Sequence, residues 1–213
     1  MKQSHLLRLN KAIAACGFCS RRNADSFIAD GQVKVNGKIV KDFHLLINLD
    51  KDAIDVAGKK LSARQKEYVI LHKPRAFIST CQDEFERQKI IDLLPKNLKH
   101  LKPAGRLDYD STGLILLTND GLLTNSLIHP KNEIEKTYKI IVAGKITAQA
   151  LKELSSGIHL KEAKTKSAKV RLIKCSDKES NNRNYNQRRQ KQTIKKNVCS
   201  TRFTGIAISQ NSC

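Results

Sequence analysis

The chain has 213 residues, with 40 Lys and Arg against 20 Asp and Glu and a formal charge of +20. Such an excess sets up a positive field whose natural partner is a polyanion, nucleic acid ahead of an anionic membrane surface. No apolar run is long enough to cross a bilayer, and Arg8 and Lys11 break the apolar stretch that a secretory leader would need near the N-terminus.

The six cysteines are scattered, and only Cys16 and Cys19 have CxxC spacing. A structural zinc site needs a second ligand pair, and none follows, so reduced thiols and no metal are expected. The cytoplasm is the expected location.

In chain order, apolar residues recur at helical spacing from Leu6 to Phe27, with Gly17 interrupting and Ser20 standing where an N-cap would open a second helix. The next stretch, GQVKVNGKIV, alternates around Asn36-Gly37, the strongest short signal for a two-residue hairpin. Arg8, Lys11, Arg21, Arg22, Lys34 and Lys38 fall within this compact helix–turn–helix–hairpin unit and could gather on one face. A polar, Lys-rich segment over residues 57–66 reads as a link to EYVILHKP, a β-branched run that ends at a proline and predicts the first strand of a second domain.

Residues 103–121 read PAGRLDYDSTGLILLTNDG. Arg106, Asp108 and Asp110 stand at the mouth of the apolar run LILLT. Charges placed there either solvate a loop or form a paired, partly desolvated site. Gly105 and Gly113 permit tight turns and a close substrate approach.

Two resemblances cover most of residues 6–173. LRLNKAIAACGFCSRRNADSFIADGQVKVNGKIV resembles an S4 domain, a small RNA-binding module. GRLDYDSTGLILLTNDG, with EYVILHKPRAFIST before it and HPKNEIEKTYKIIVAGKI after it, closely resembles the ribosomal RNA pseudouridine synthases that join an S4 domain to a catalytic domain.

The resemblance implies an α+β protein. An S4 domain occupies residues 1–62, and a catalytic domain on a mixed, largely antiparallel sheet occupies residues 63–180. It implies isomerisation of uridine to pseudouridine in ribosomal RNA, the large subunit favoured, without a cofactor and as a monomer acting on rRNA or an assembling ribosomal subunit. Asp108 becomes the expected nucleophile. Tyr138, in the EKTY segment, is the expected base-stacking tyrosine that helps remove the C5 proton. Arg106 is expected to fill the space left by a flipped uridine. Ser20, Arg21 and Arg22 form the corner expected to meet RNA phosphates, with Lys136 and His129 as further contacts.

The tail departs from this pattern. The family closes with a strand and a basic motif like EGKNRQLRKMF, whereas this chain has NYNQRRQKQTIKKNVCSTRFTGIAISQNSC from Asn184 onward. Codons compatible with that tail, read one nucleotide out of register, can encode ITIKEGKNRQLRKMFAALGLPVLRLVRIA. Residues 181–213 are therefore expected to be an out-of-frame, disordered tail, its composition poor in core-forming residues. The catalytic domain would then lack its C-terminal strand and helix, and activity would be impaired. The alternative function is a non-catalytic rRNA-binding protein acting through its S4 domain.

Overall fold

The computed structural model describes residues 6–143, 146–157, 167–175, 179–187 and 206–210; residues 142–143, 174–175, 179–187 and 206–210 are described through their backbone. The chain divides into two compact units, Met1–Glu67 with Asn119–Gly121, and Tyr68–Thr118 with Leu122–Cys213.

The first unit opens with β1 (Leu7–Arg8) and α1 (Leu9–Ala15), then α2 (Arg21–Ala29). Gly17 lies between the helices at φ +72°, a left-handed conformation that glycine adopts without a Cβ clash. Ser20 is the N-cap the sequence predicts: its Oγ accepts from Asn23 N at 3.1 Å. Leu9, Ala12, Ile13, Ala24 and Ile28 are all fully buried, and Phe18 meets Phe27 edge-on with centroids 5.4 Å apart.

The hairpin joins β2 (Val33–Val35) to β3 (Lys38–Ile39), with Asn36 at φ 51° and Gly37 at φ 81°. Two left-handed residues in succession match a type I′ turn. A short pair links β1 to β4 (Leu46–Ile47).

The Lys-rich segment expected to be a link is partly structured. Ala57 (φ 50°) and Gly58 (φ 80°) turn β5 (Ile54–Val56) into β6 (Lys59–Leu61), completing the sheet order β3-β2-β5-β6. The reason is local: Ile54 and Val56 bury inward beside Val33 and Val35, and β6 then pairs the free edge of β5.

The second unit is built on a sheet in the order β11-β12-β10-β13-β9-β7, with β8 also on β9. These strands are β7 (Tyr68–Lys73), β8 (Lys102–Pro103), β9 (Thr112–Thr118), β10 (Glu135–Ala143), β11 (Lys169–Cys175), β12 (Glu179–Gln187) and β13 (Ile206–Gln210). Their pairings are antiparallel except for β13 on β9, so the expected mixed, largely antiparallel sheet is found. Leu107, Ile115 and Leu117 pack with Ile90, Leu94 and Leu101 in one core; Tyr138 and Ile140 pack with Ile146, Ala150 and Leu154 of α4 (Ala148–Ser156) and its approach in another. α3 (Gly121–Ile128) follows β9.

The tail differs from expectation. The sheet was expected to lack its C-terminal strand, yet β13 lies between β9 and β10, and β12 pairs the other edge of β10. Strand pairing uses backbone donors and acceptors, which every non-proline residue carries, and IAISQ places Ile206 and Ile208 at the two-residue spacing that suits a pleat. The expected loss of the closing helix falls on residues 188–205, outside the described residues.

Removal of the α2 cap gives a direct test of this unit. Ser20→Ala is expected to cost about 1 kcal/mol of stability, and Ser20→Asp, which also caps, to restore it; denaturant unfolding of both variants checks the pair.

Candidate active site

Asp108 sits in the loop between β8 and β9. Its predecessor Leu107 is buried, 4% exposed, and anchors the loop in the core, while Arg106 on the other side of Leu107 is exposed. Ser79 fixes the same point twice: its Oγ donates to Leu107 O at 2.8 Å and accepts from Leu107 N at 3.0 Å. The loop then closes as a turn, Ser111 N donating to Asp108 O at 3.0 Å, and Ala76 N donates to Tyr109 O at 3.0 Å.

The strongest constraint comes from Lys73, the last residue of β7. Val69, Leu71 and Lys73 share the inward-facing register of that strand, so the lysine takes a core position and is fully buried. Its ammonium donates to Pro74 O at 2.9 Å, Tyr109 O at 3.3 Å and Ser111 O at 2.8 Å. Burial pulls its pKa below the usual lysine value, while the charges of Asp108 and Asp110 oppose that shift. A buried cation so placed ties down the Asp108 loop and lies in the field of the Asp108 carboxylate. Sequence reading missed Lys73. The available signal was a lysine continuing the inward alternation of an apolar strand.

Tyr138 lies on β10 and is 5% exposed. Its phenol is pushed up to about 12, first by burial and then by the negative charge of Asp108, which brings the two expected catalytic residues into one electrostatic neighbourhood. The sheet explains the juxtaposition. Tyr138 pairs with Gln210, and Gln210 pairs with Gly113 at the start of β9, so β13 sets Tyr138 level with the end of the Asp108 loop. Two strand spacings separate them, about 10 Å.

Among the described residues, Asp108 Oδ2 and Ser111 Oγ are buried without a hydrogen-bond partner. A buried carboxylate oxygen left unpaired is costly, and an incoming substrate or cation would relieve that cost. Asp110 is exposed, as expected for a turn carboxylate.

The remaining expected contacts divide. Arg8, Lys11, Arg21, Arg22, Lys34 and Lys38 are all exposed on the first unit. Lys34 lies opposite Asp55 in the ladder. Ser20 is engaged in capping α2, its hydroxyl also donating to Asn23 Oδ1 at 3.0 Å. Lys136 shares the face of β10 that carries Tyr138, two residues away; it is half-buried, its Nζ points to Leu127 O at 3.5 Å, and burial lowers its pKa. His129 is exposed and caps a short 3-10 turn, its Nδ1 accepting from Lys131 N at 3.2 Å.

A mixed sheet carrying a loop carboxylate beside a buried tyrosine and lysine defines a compact α+β catalytic fold, and comparison identifies which one. The family model for RNA pseudouridylate synthase matches residues 67–212, and that for the S4 domain matches residues 7–45. The chain belongs to the RNA pseudouridylate synthase family, whose members isomerise uridine. It is 43% identical to a ribosomal large subunit pseudouridine synthase B of Bacillus subtilis, over 80% of this chain and 70% of that protein. It is 33% identical to the protein of the same name from Buchnera aphidicola, over 80% of this chain and 71% of that one. A crystal structure of a pseudouridylate synthase superposes with a TM-score of 0.64 at 29% identity, covering 95% of this chain and 87% of the other.

Two measurements test the site. Of the four tyrosines, Tyr138 should ionise only near pH 12 in an alkaline absorbance titration, and Asp108→Asn should move that step to lower pH by removing the opposing negative charge. Because the unfolded phenol ionises near its ordinary value of 10, stability should fall as pH rises between those two values. Lys73→Met takes one donor from Pro74 O, Tyr109 O and Ser111 O, of which Tyr109 O keeps Ala76 N, and is expected to cost about 2–4 kcal/mol in denaturant unfolding.

Proposed function

We infer that the chain isomerises uridine to pseudouridine in large-subunit ribosomal RNA, with Asp108 as the nucleophile. The observation that carries the reading is the Asp108 carboxylate: one oxygen buried and unpaired among the described residues, with the Lys73 ammonium and the buried Tyr138 phenol in its field. The names of the Bacillus and Buchnera relatives and the charge of +20 support the RNA substrate and its subunit.

In the reaction the N1–C1′ bond breaks, the uracil turns, and C1′ bonds to C5. The proton displaced from C5 is balanced by one gained at N1, so no electrons are gained or lost. Asp108 supplies the nucleophile, and Lys73 holds the backbone of its loop in place. Tyr138 supplies a neutral ring wall for the base and, at its buried hydroxyl, a station for the C5 proton. Arg106, exposed beside the loop, occupies the place a flipped uridine leaves. Arg8, Lys11, Arg21, Arg22, Lys34 and Lys38 supply phosphate contacts that position the RNA.

A second reading concerns the tail. The unpaired Asp108 oxygen suits a cation, and codons compatible with the tail can encode the basic motif EGKNRQLRKMF in the shifted frame. On this alternative, residues from about Asn184 onward are translated out of frame and turnover is slow or absent, while the first unit still binds RNA. Sequencing the source DNA across the codons for residues 174–213 tests the frame. Codons that fail to encode the motif in the shifted register would end this reading.

For the main reading, tritium release from ribosomal RNA labelled at C5 of uridine is the assay. Asp108→Asn is expected to lower turnover by about 1000-fold or more while RNA affinity and its salt dependence stay unchanged. Equal turnover in both proteins would remove Asp108 from the chemistry. RNA binding without turnover in either would favour a pure binding protein.

A further inference from the structure

The segment from Thr80 to Lys89 has no part in the site described so far. It is the most unusual surface of the second unit. Its base is pinned beside the nucleophile loop: Ser79, the residue before it, holds Leu107 through both backbone groups, and at its foot Ile78 N donates to Gln88 O at 2.9 Å while Ile90 N donates to Ile78 O at 3.0 Å. The loop therefore emerges one residue from Leu107, next to Asp108.

At its tip stands Phe85, 76% exposed, the most exposed large hydrophobic side chain among the described residues. The ring is held in place. Arg87 lies over it, with Cζ 5.1 Å from the ring centroid. Asp83 grips that guanidinium, accepting from Nε at 3.1 Å and also from Nη2, and accepts from the backbone N–H groups of Phe85 at 3.2 Å and Arg87 at 2.9 Å. The Arg87 charge also lies in the field of Tyr109, the residue after Asp108. Glu86, between ring and arginine, takes φ 53°, a left-handed conformation that non-glycine residues rarely hold.

The local charge decides what such a ring meets. Residues 82–89 carry three carboxylates (Asp83, Glu84, Glu86), two amides (Gln82, Gln88) and two cations that are already engaged: Arg87 with Asp83, and Lys89 with Asp92 at 3.5 Å. On a chain of charge +20, three carboxylates against two cations leave this segment close to neutral. It offers a phosphate backbone little attraction and presents instead an aromatic face rimmed by acceptors. Unpaired RNA bases stack on such faces, and exocyclic amino groups seek such acceptors.

We propose that Phe85, backed by Arg87, is the stacking platform for an unpaired nucleobase flanking the target uridine, so that this loop reads a base while the basic surface reads phosphate. The proposal rests on the RNA-modifying reading above and assigns a specificity-determining residue to the same site. Asp83 acts as a positioning residue, since it holds the arginine that backs the ring.

The chain has no tryptophan, so Phe85→Trp creates a single fluorescent reporter at the tip. An unstructured oligoadenylate is expected to quench it on binding, and an abasic oligonucleotide of the same length to bind without quenching. Binding of both is followed separately by anisotropy of an end label. Saturation with oligoadenylate without quenching, or equal quenching by the abasic strand, would overturn the proposal. In the tritium-release assay, Phe85→Ala is expected to raise KM about tenfold, the loss of one base stack, with kcat unchanged. An unchanged KM would also overturn it. Should the wild-type chain show no turnover, the catalytic reading fails and the fluorescence arm still decides the stacking.

Discussion

The second unit depends on one buried ammonium. Lys73 enters the core because it continues the inward register of β7, and it is held there by three carbonyls, two of them from the loop that carries Asp108. A lysine is expensive to bury. Here its charge is offset by Asp108 and Asp110, and its donors are spent on the loop backbone. Fixing the loop is thus in large part the work of a single buried side chain. Leu107 and Ser79 complete the grip from the other side, one by burial and one by paired hydrogen bonds.

The two units use charge in opposite ways. In the first unit a small apolar core of alanines and β-branched residues leaves arginines and lysines outside, where they are solvated and available to a polyanion. In the second unit the decisive charges are few and partly buried: burial lowers the pKa of Lys73 and of Lys136, and one oxygen of Asp108 is buried without a hydrogen-bond partner among the described residues. The first arrangement suits affinity without base selectivity; the second suits chemistry on a base drawn out of its stack.

The tail shows how strand pairing tolerates sequence. Read by composition, residues beyond Asn184 resemble no core segment, yet Ile206–Gln210 pairs with both β9 and β10. Backbone hydrogen bonds need only an extended chain and a vacant ladder edge. Side-chain chemistry is another matter: among the described residues one oxygen of Asp108 has no hydrogen-bond partner.

The sequence alone determined much of this protein. The Asn36-Gly37 hairpin, the Ser20 cap and the strand at EYVILHK were legible because turn chemistry, capping and two-residue alternation act over a few neighbours. The GRLD string pointed to Asp108 as literal resemblance. Other features required the tertiary structure. The Ala57-Gly58 turn was hidden because only the free edge of β5 makes a strand of a Lys-rich stretch. Lys73 was hidden because inward alternation alone does not keep a lysine buried; its role exists only once β7 meets a loop 36 residues away. The level placement of Tyr138 with Gly113 follows from β13 lying between their strands. Local rules fix elements one at a time, whereas a site is made of residues distant in sequence, and only packing decides which of them meet.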